Sequence, residues 1–162
     1  MDLEFIETNL AGLKLVRPLN ILEEIDVGKV VFNSSSFAGE GLQSGYKYNI
    51  DMNHMDPFHV NGFYASEGNQ YFTAQKGIYC FIVIDPAADN ICSVILSDRN
   101  RWGLYISEGL QYGYMGAESM NILHRKADGL IQADSSLEGA DLAYEAHWPI
   151  KEMKEWAKKG MI

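Results

Sequence analysis

Two cysteines in 162 residues leave little scope for covalent cross-linking. Cys80 and Cys92 fall near predicted strands, with neither a close pairing nor the spacing of a metal site, and read as reduced thiols of a cytosolic protein. Basic residues are also scarce: 13 Lys and Arg stand against 22 Asp and Glu, a formal charge of −9. The sequence has no basic stripe to neutralise phosphates, which argues against nucleic acid as a partner. An anionic small ligand needs a local cluster acting against the overall field. Long apolar runs are missing too. No window approaches the roughly 18 apolar residues of a membrane span, and the start, MDLEFIETNLAGLKLV, lacks a basic segment leading into an apolar one. Neither membrane insertion nor secretion is expected.

What the chain does have is aromatic residues (12%), 15 glycines and a modest 22% of charged residues, the profile of a folded β-rich protein. Short apolar runs such as GLKLVRPL, GYKYNIDM, NGFYAS, QYFTAQ, ICSVILS, WGLYIS and LQYGYMG are separated by Gly, Asn, Asp and Pro. Their regular spacing predicts an antiparallel sandwich or barrel. GIYCFIVIDP is apolar nearly throughout, as a central strand covered on both faces is, and Pro86 ends it. Only residues 148–162 have helical texture: Ile150, Met153, Trp156 and Ala157 recur at helical spacing, with Gly160 as a stop. The length suits one domain over residues 1–162.

Several segments together resemble the cupin family of sugar-nucleotide epimerases typified by dTDP-4-dehydrorhamnose 3,5-epimerase. FIETNLAGLKLVRP resembles that family's usual start, and LSDRNRWGLYISEGLQYGYM resembles its LSxENRxxLYIPEGFAHGF. GIYCFIVID is similar to GxVxDVxVD, with Gly77 and Asp85 matched, and ADLAYEAHWPI is similar to DDPxLxIxWP, with Asp141 and Trp148-Pro149 matched. The resemblance implies an all-β fold, a double-stranded β-helix (cupin, or jelly roll) with a C-terminal amphipathic helix. It also implies a homodimer in which the N-terminal strand region, residues 1–20, crosses to the partner.

The resemblance maps that family's machinery unevenly onto this chain. There a histidine in an RGLHxQ strand, oriented by an aspartate, abstracts a proton beside a 4-keto group, and a tyrosine opposite donates one. Such work needs groups that titrate near neutrality within hydrogen-bond reach of the sugar carbon. Here VNGFYAS puts Asn61 on the arginine and Tyr64 on the histidine, Tyr112 takes the place of a second histidine, and the family tyrosine falls near Gly129 or Leu130. Asp141 keeps the aspartate. The arginine of the family's DERG is Val27, its lysine is lost near Gln70, and Asn53-His54 resembles DNHS. An ordinary phenol titrates near 10 and is a poor base at neutral pH, so ligand hydrogen bonding or packing is the plainer role for Tyr64.

The histidines, the usual titrating groups near neutral pH, are His54, His59, His124 and His147, and none has the spacing of a cupin metal triad. Expected catalytic positions are Tyr64, Asp141, His54 and Tyr112; expected substrate-binding positions are Asn53, Asn61, Gln70, Glu108, Tyr114 and His124. Tyr112 either lines a ligand cavity or plugs it, Tyr114 packs in the core, and Arg99, Arg101 and Arg125 read as solvated strand ends. No cofactor or metal is implied. The expected function is that of a cytoplasmic epimerase- or isomerase-like cupin acting on a nucleotide-linked 4-keto-6-deoxy sugar in surface polysaccharide biosynthesis, with an altered active site. The alternative is a non-catalytic cupin that binds a sugar or partners an active paralogue.

Overall fold

Strand β6 (Ile78–Asp85) fixes the middle of the molecule. Its side chains alternate across the sheet: Tyr79, Phe81 and Val83 enter one apolar cluster, and Ile78, Cys80, Ile82 and Ile84 enter another. Both faces are therefore covered, which accounts for a run of apolar residues with little polar alternation. The computed structural model describes residues 3–19, 31–129, 135–136 and 148–159.

The remaining strands are β1 (Leu3–Glu7), β2 (Leu13–Pro18), β3 (Tyr48–His54), β4 (Asn61–Ala65), β5 (Gln70–Lys76), β7 (Asn90–Ser97), β8 (Gly103–Ile106), β9 (Gln111–Gly116), β10 (Asn121–Ala127) and β11 (Ser135–Ser136). They form two antiparallel sheets, β1-β2-β8-β5-β10-β3 and β11-β4-β9-β6-β7. Within these, β3-β10-β5-β8 faces β4-β9-β6-β7, the strand order of a jelly roll. The expected double-stranded β-helix is the observed fold.

The space between the sheets is filled by Leu13, Phe72, Tyr79, Phe81, Leu104, Tyr112, Tyr114 and Leu123, among others. A short helix, α1 (Ser34–Gly39), capped by the Asn33 side chain on the Ser36 N–H, covers the outside of the first sheet by setting Phe37 against Tyr71 and Tyr105. The C-terminal helix α2 (Ile150–Lys159) covers the outside of the second. Met153, Ile150 and Trp156, with Trp148 just before the helix, pack there on Phe63, Cys80, Ile82 and Met115; the side chain of Ala157 is outside the described residues. Cys80 and Cys92 are both free, and burial pushes the Cys80 thiol up to about 11, making it an unreactive core group. No helix among the described residues is long and apolar enough to cross a membrane.

In strand β1, Phe5 faces Val16 of β2 within the same chain. Glu4 pairs with Arg17 and Glu7 with Lys14 across this hairpin.

Candidate functional site

Three of the expected site residues meet where β4 turns into β5 and β10 ends. Tyr64 and Tyr112 are cross-strand partners on β4 and β9, with ring centroids 5.6 Å apart. A register shift between Gly62 and Tyr64 turns Phe63 outward beneath α2 and Tyr64 inward beside Tyr112. Tyr64 is half-buried at the lip of the sandwich, while Tyr112 has no exposed surface.

Behind them a buried polar network is organised by Gln70. Its Oε1 accepts the Tyr112 hydroxyl at 3.1 Å and the Arg125 Nε–H at 2.7 Å. Its Nε2 donates to the Ser66 hydroxyl at 2.7 Å, and Ser66 donates its own O–H to the Gly68 carbonyl at 2.6 Å. Gln70 Oε1 faces two donors and Nε2 faces the Ser66 hydroxyl, so the amide orientation is fixed by these partners. The Tyr112 proton is held toward Gln70, which removes it from easy proton exchange with a ligand.

Arg125 heads the fully buried side chains by size among the described residues, at 1% exposure, which corrects its reading as a solvated strand end. It shares parity on β10 with Leu123, which lies in the inter-sheet core, so its stem points inward and the guanidinium meets Gln70 and the Gly129 carbonyl, the latter at 3.0 Å. A buried guanidinium is costly unless its donors are satisfied, and these acceptors are part of what holds it. Arg125 and Gln70 lie on the wall of a cavity of about 240 Å³ whose rim carries Glu67, Asn69 and Asp128.

The centre of the sandwich is closed. Phe72, Phe81, Tyr112 and Tyr114 are each at most 1% exposed, with ring centroids 5.1 to 6.5 Å apart. Tyr112 thus lies within the packed interior rather than on a cavity wall, and Tyr114, named above among the substrate-binding positions as well as in the core, is buried in the same aromatic cluster.

His54, Asn53 and Asn61 gather elsewhere, between β3 and β4, around a shallower cavity of about 160 Å³ that also includes Asp56 and His59. His54 points inward, and both imidazole nitrogens are occupied: Nδ1 by the Tyr79 hydroxyl at 2.7 Å and Nε2 by that of Tyr114 at 3.3 Å. Burial, with a smaller contribution from His59, holds the His54 pKa below its usual value, so the neutral ring is favoured. A neutral imidazole donates through one nitrogen and accepts through the other, and the two phenols match that demand. Burial raises the Tyr79 pKa, keeping this partner protonated. Asn61 donates to the His59 carbonyl at 3.3 Å.

His124 alternates with Leu123 and Arg125 and faces the outside of its sheet, where Nδ1 meets Asp51 Oδ1 at 2.7 Å. Glu108 is exposed in the turn before β9, its N–H bound to Asn69 Oδ1. Asp141, Leu130, His147 and Val27 lie outside the described residues. Among the described residues no three His, Cys, Asp or Glu side chains converge as metal ligands.

Sequence reasoning overlooked Ser66, Arg125 and Tyr79. The parity of LHRKA carried the signal for Arg125, since the residue two after a core leucine on a strand shares its face. Nothing local marks Ser66 or Tyr79, whose partners are distant in sequence.

No protein-family model matches the chain, and no curated protein matches it. Solved structures do. The dTDP-4-dehydrorhamnose 3,5-epimerase from Bacillus anthracis, solved with TDP and PPi bound, superposes with a TM-score of 0.74 at 16% identity, covering 94% of this chain and 97% of that one. A dTDP-6-deoxy-D-glucose-3,5-epimerase from Legionella pneumophila in complex with dTDP-4-keto-L-rhamnose gives 0.72 at 16% identity, covering 91% and 84%. A 4-keto-6-deoxy sugar epimerase from the novobiocin gene cluster of Streptomyces spheroides gives 0.71 at 14%, covering 100% and 93%. The fold of this chain is that of the dTDP-4-dehydrorhamnose 3,5-epimerase structures.

Proposed function

We propose that this chain is a sugar-nucleotide epimerase-like cupin that takes a nucleotide-linked 4-keto-6-deoxy sugar at the Gln70–Arg125 end of the sandwich, with an acid–base set of its own. The observation that carries this reading is the buried network Tyr112–Gln70–Arg125, which puts Gln70 and Arg125 on the wall of the cavity and sets Tyr112 against the half-buried Tyr64. A cavity of about 240 Å³ is below the ~300–1,000 Å³ of typical ligand sites. It therefore takes the sugar ring, leaving the nucleotide across the outer surface. Asn69, Gln70 and the rim carboxylates suit sugar hydroxyls, and the guanidinium supplies the positive charge that an enolate oxygen gains from.

The reaction is enolisation: the C–H beside the carbonyl breaks, its proton passes to a protein group, and reprotonation on the other face inverts the centre. Tyr64 is the phenol placed at the lip, whereas Tyr112 is committed to Gln70 and His54 to two tyrosines. Asp141 is proposed to assist from the segment before α2. The setting is cytoplasmic, in surface polysaccharide biosynthesis, and the proposed assembly is a homodimer.

The closed aromatic interior favours a second reading, a non-catalytic cupin that binds a sugar. Titrating TDP and dTDP-4-keto-6-deoxyglucose while following deuterium uptake from heavy water by NMR separates the two. Binding with exchange at C3 or C5, lost in Tyr64→Phe, is the expected result. Binding without exchange leaves the second reading, and no binding overturns both.

A further inference from the structure

The sheets also part between β2 and β7, away from β3 and β4 in the strand order. Leu15, Cys92, Val94 and Trp102 line a bay of about 400 Å³ there, where the inter-sheet core reaches the surface. Strand β7 is the edge of its sheet, so half of its backbone groups face away from β6.

Which half is settled by three contacts. Asn9 Nδ2 donates to the Ile91 carbonyl at 2.8 Å, Asn100 Nδ2 to the Ile95 carbonyl at 3.2 Å, and the Ser97 N–H to Asn100 Oδ1 at 3.1 Å, all from outside the β6·β7 pair. On the other strand, the Ile78 carbonyl accepts from Ala117 beyond β9, so Ile78 and, by alternation, Ile82 face β9. Ser93, opposite Ile82, therefore presents its N–H and C=O outward, and the Ile95 N–H lies on the same edge. No hydrogen bond among the described residues uses these three groups.

An added peptide strand needs a continuous row of such groups, and here Asn9 and Asn100 already occupy the carbonyls on either side. A compact ring needs only one donor and one acceptor. The bay adds an indole wall and aliphatic walls, which favour a flat apolar face. A neutral ring also avoids the opposition that the net charge of −9 offers to anions.

We propose that this bay binds a planar heteroaromatic ring carrying an N–H beside a C=O, of the nucleobase type, with its polar edge on the Ser93–Ile95 backbone and its face against Trp102. The site is separate from the Arg125 cavity and does not depend on the function proposed for it.

The test is an NMR titration of the full chain with uracil, and with 1,3-dimethyluracil, which keeps the ring but loses both N–H donors. Saturable shifts of the Ser93 and Ile95 amides and the Trp102 indole are expected with uracil, and binding at least about tenfold weaker with the dimethyl compound. Ser93→Pro removes one donor at an edge position that tolerates proline, and Cys92→Trp fills the bay; whichever of these retains the native spectrum should lose the response. Equal binding of both compounds, shifts at Gln70 and Arg125 instead, or none up to the solubility limit, overturns the proposal.

Discussion

Gln70 shows how much can depend on one amide. Replacing it with leucine removes the oxygen that accepts from the Tyr112 hydroxyl and from Arg125 Nε. Losing two buried hydrogen bonds, one of them to a charged group, costs about 2–4 kcal/mol, to be read as a loss of stability in urea unfolding; Gln70→Glu, which keeps an acceptor for Arg125, should lose less. His54 gives a pH prediction of definite sign. Its folded-state pKa is lowered, so the unfolded chain binds the proton more tightly and stability rises with pH through this range. The stabilisation is whole above the unfolded value near ~6.5 and is lost as pH falls through it toward the folded value. The melting temperature should therefore fall more steeply between pH 7 and pH 5 in the native protein than in His54→Gln. Neither role was legible in the sequence. Gln70 stood out only as a lost lysine, and the tyrosine partners of His54 lie 25 and 60 residues away along the chain.

The secondary-structure elements were easier to read, because strand and helix periodicities are local. The apolar run of β6, the separate runs WGLYIS and LQYGYMG and the amphipathic face of α2 all follow from spacing, and each is found in the structure. Close approaches between strands were not legible. A Cβ on Gly103 of β8 would sit 1.9 Å from the Tyr71 hydroxyl, which itself reaches the Val31 carbonyl. Gly103→Ala should displace that ring and cost about 1–3 kcal/mol by overpacking, measurable as a lower denaturation midpoint. Met153, fully buried on α2, joins the helix to the second sheet. Met153→Ala should cost about 2–4 kcal/mol through the cavity it leaves, checked by the same unfolding curves.

The net charge of −9 works against any anionic ligand approaching from a distance, while Arg125 acts only at short range. Raising salt from about 10 mM to 150 mM shortens the screening length from roughly 30 to 8 Å. Stopped-flow association of TDP should therefore quicken with salt, the reverse of the behaviour of a basic nucleotide site. The jelly roll was legible because its strands, turns and matched segments keep their order along the chain. The closure of its interior was not, since it depends on how rings from β5, β6 and β9 meet. That closure makes the rings reporters of motion. Phe72 and Tyr112 touch neighbours on every side, and Tyr112 is also tethered at its hydroxyl, so neither can turn over by 180° unless the two sheets separate briefly. The ring-flip rates of this pair are a clock for the breathing of the sandwich, set by the same opening that any molecule bound for its centre must await.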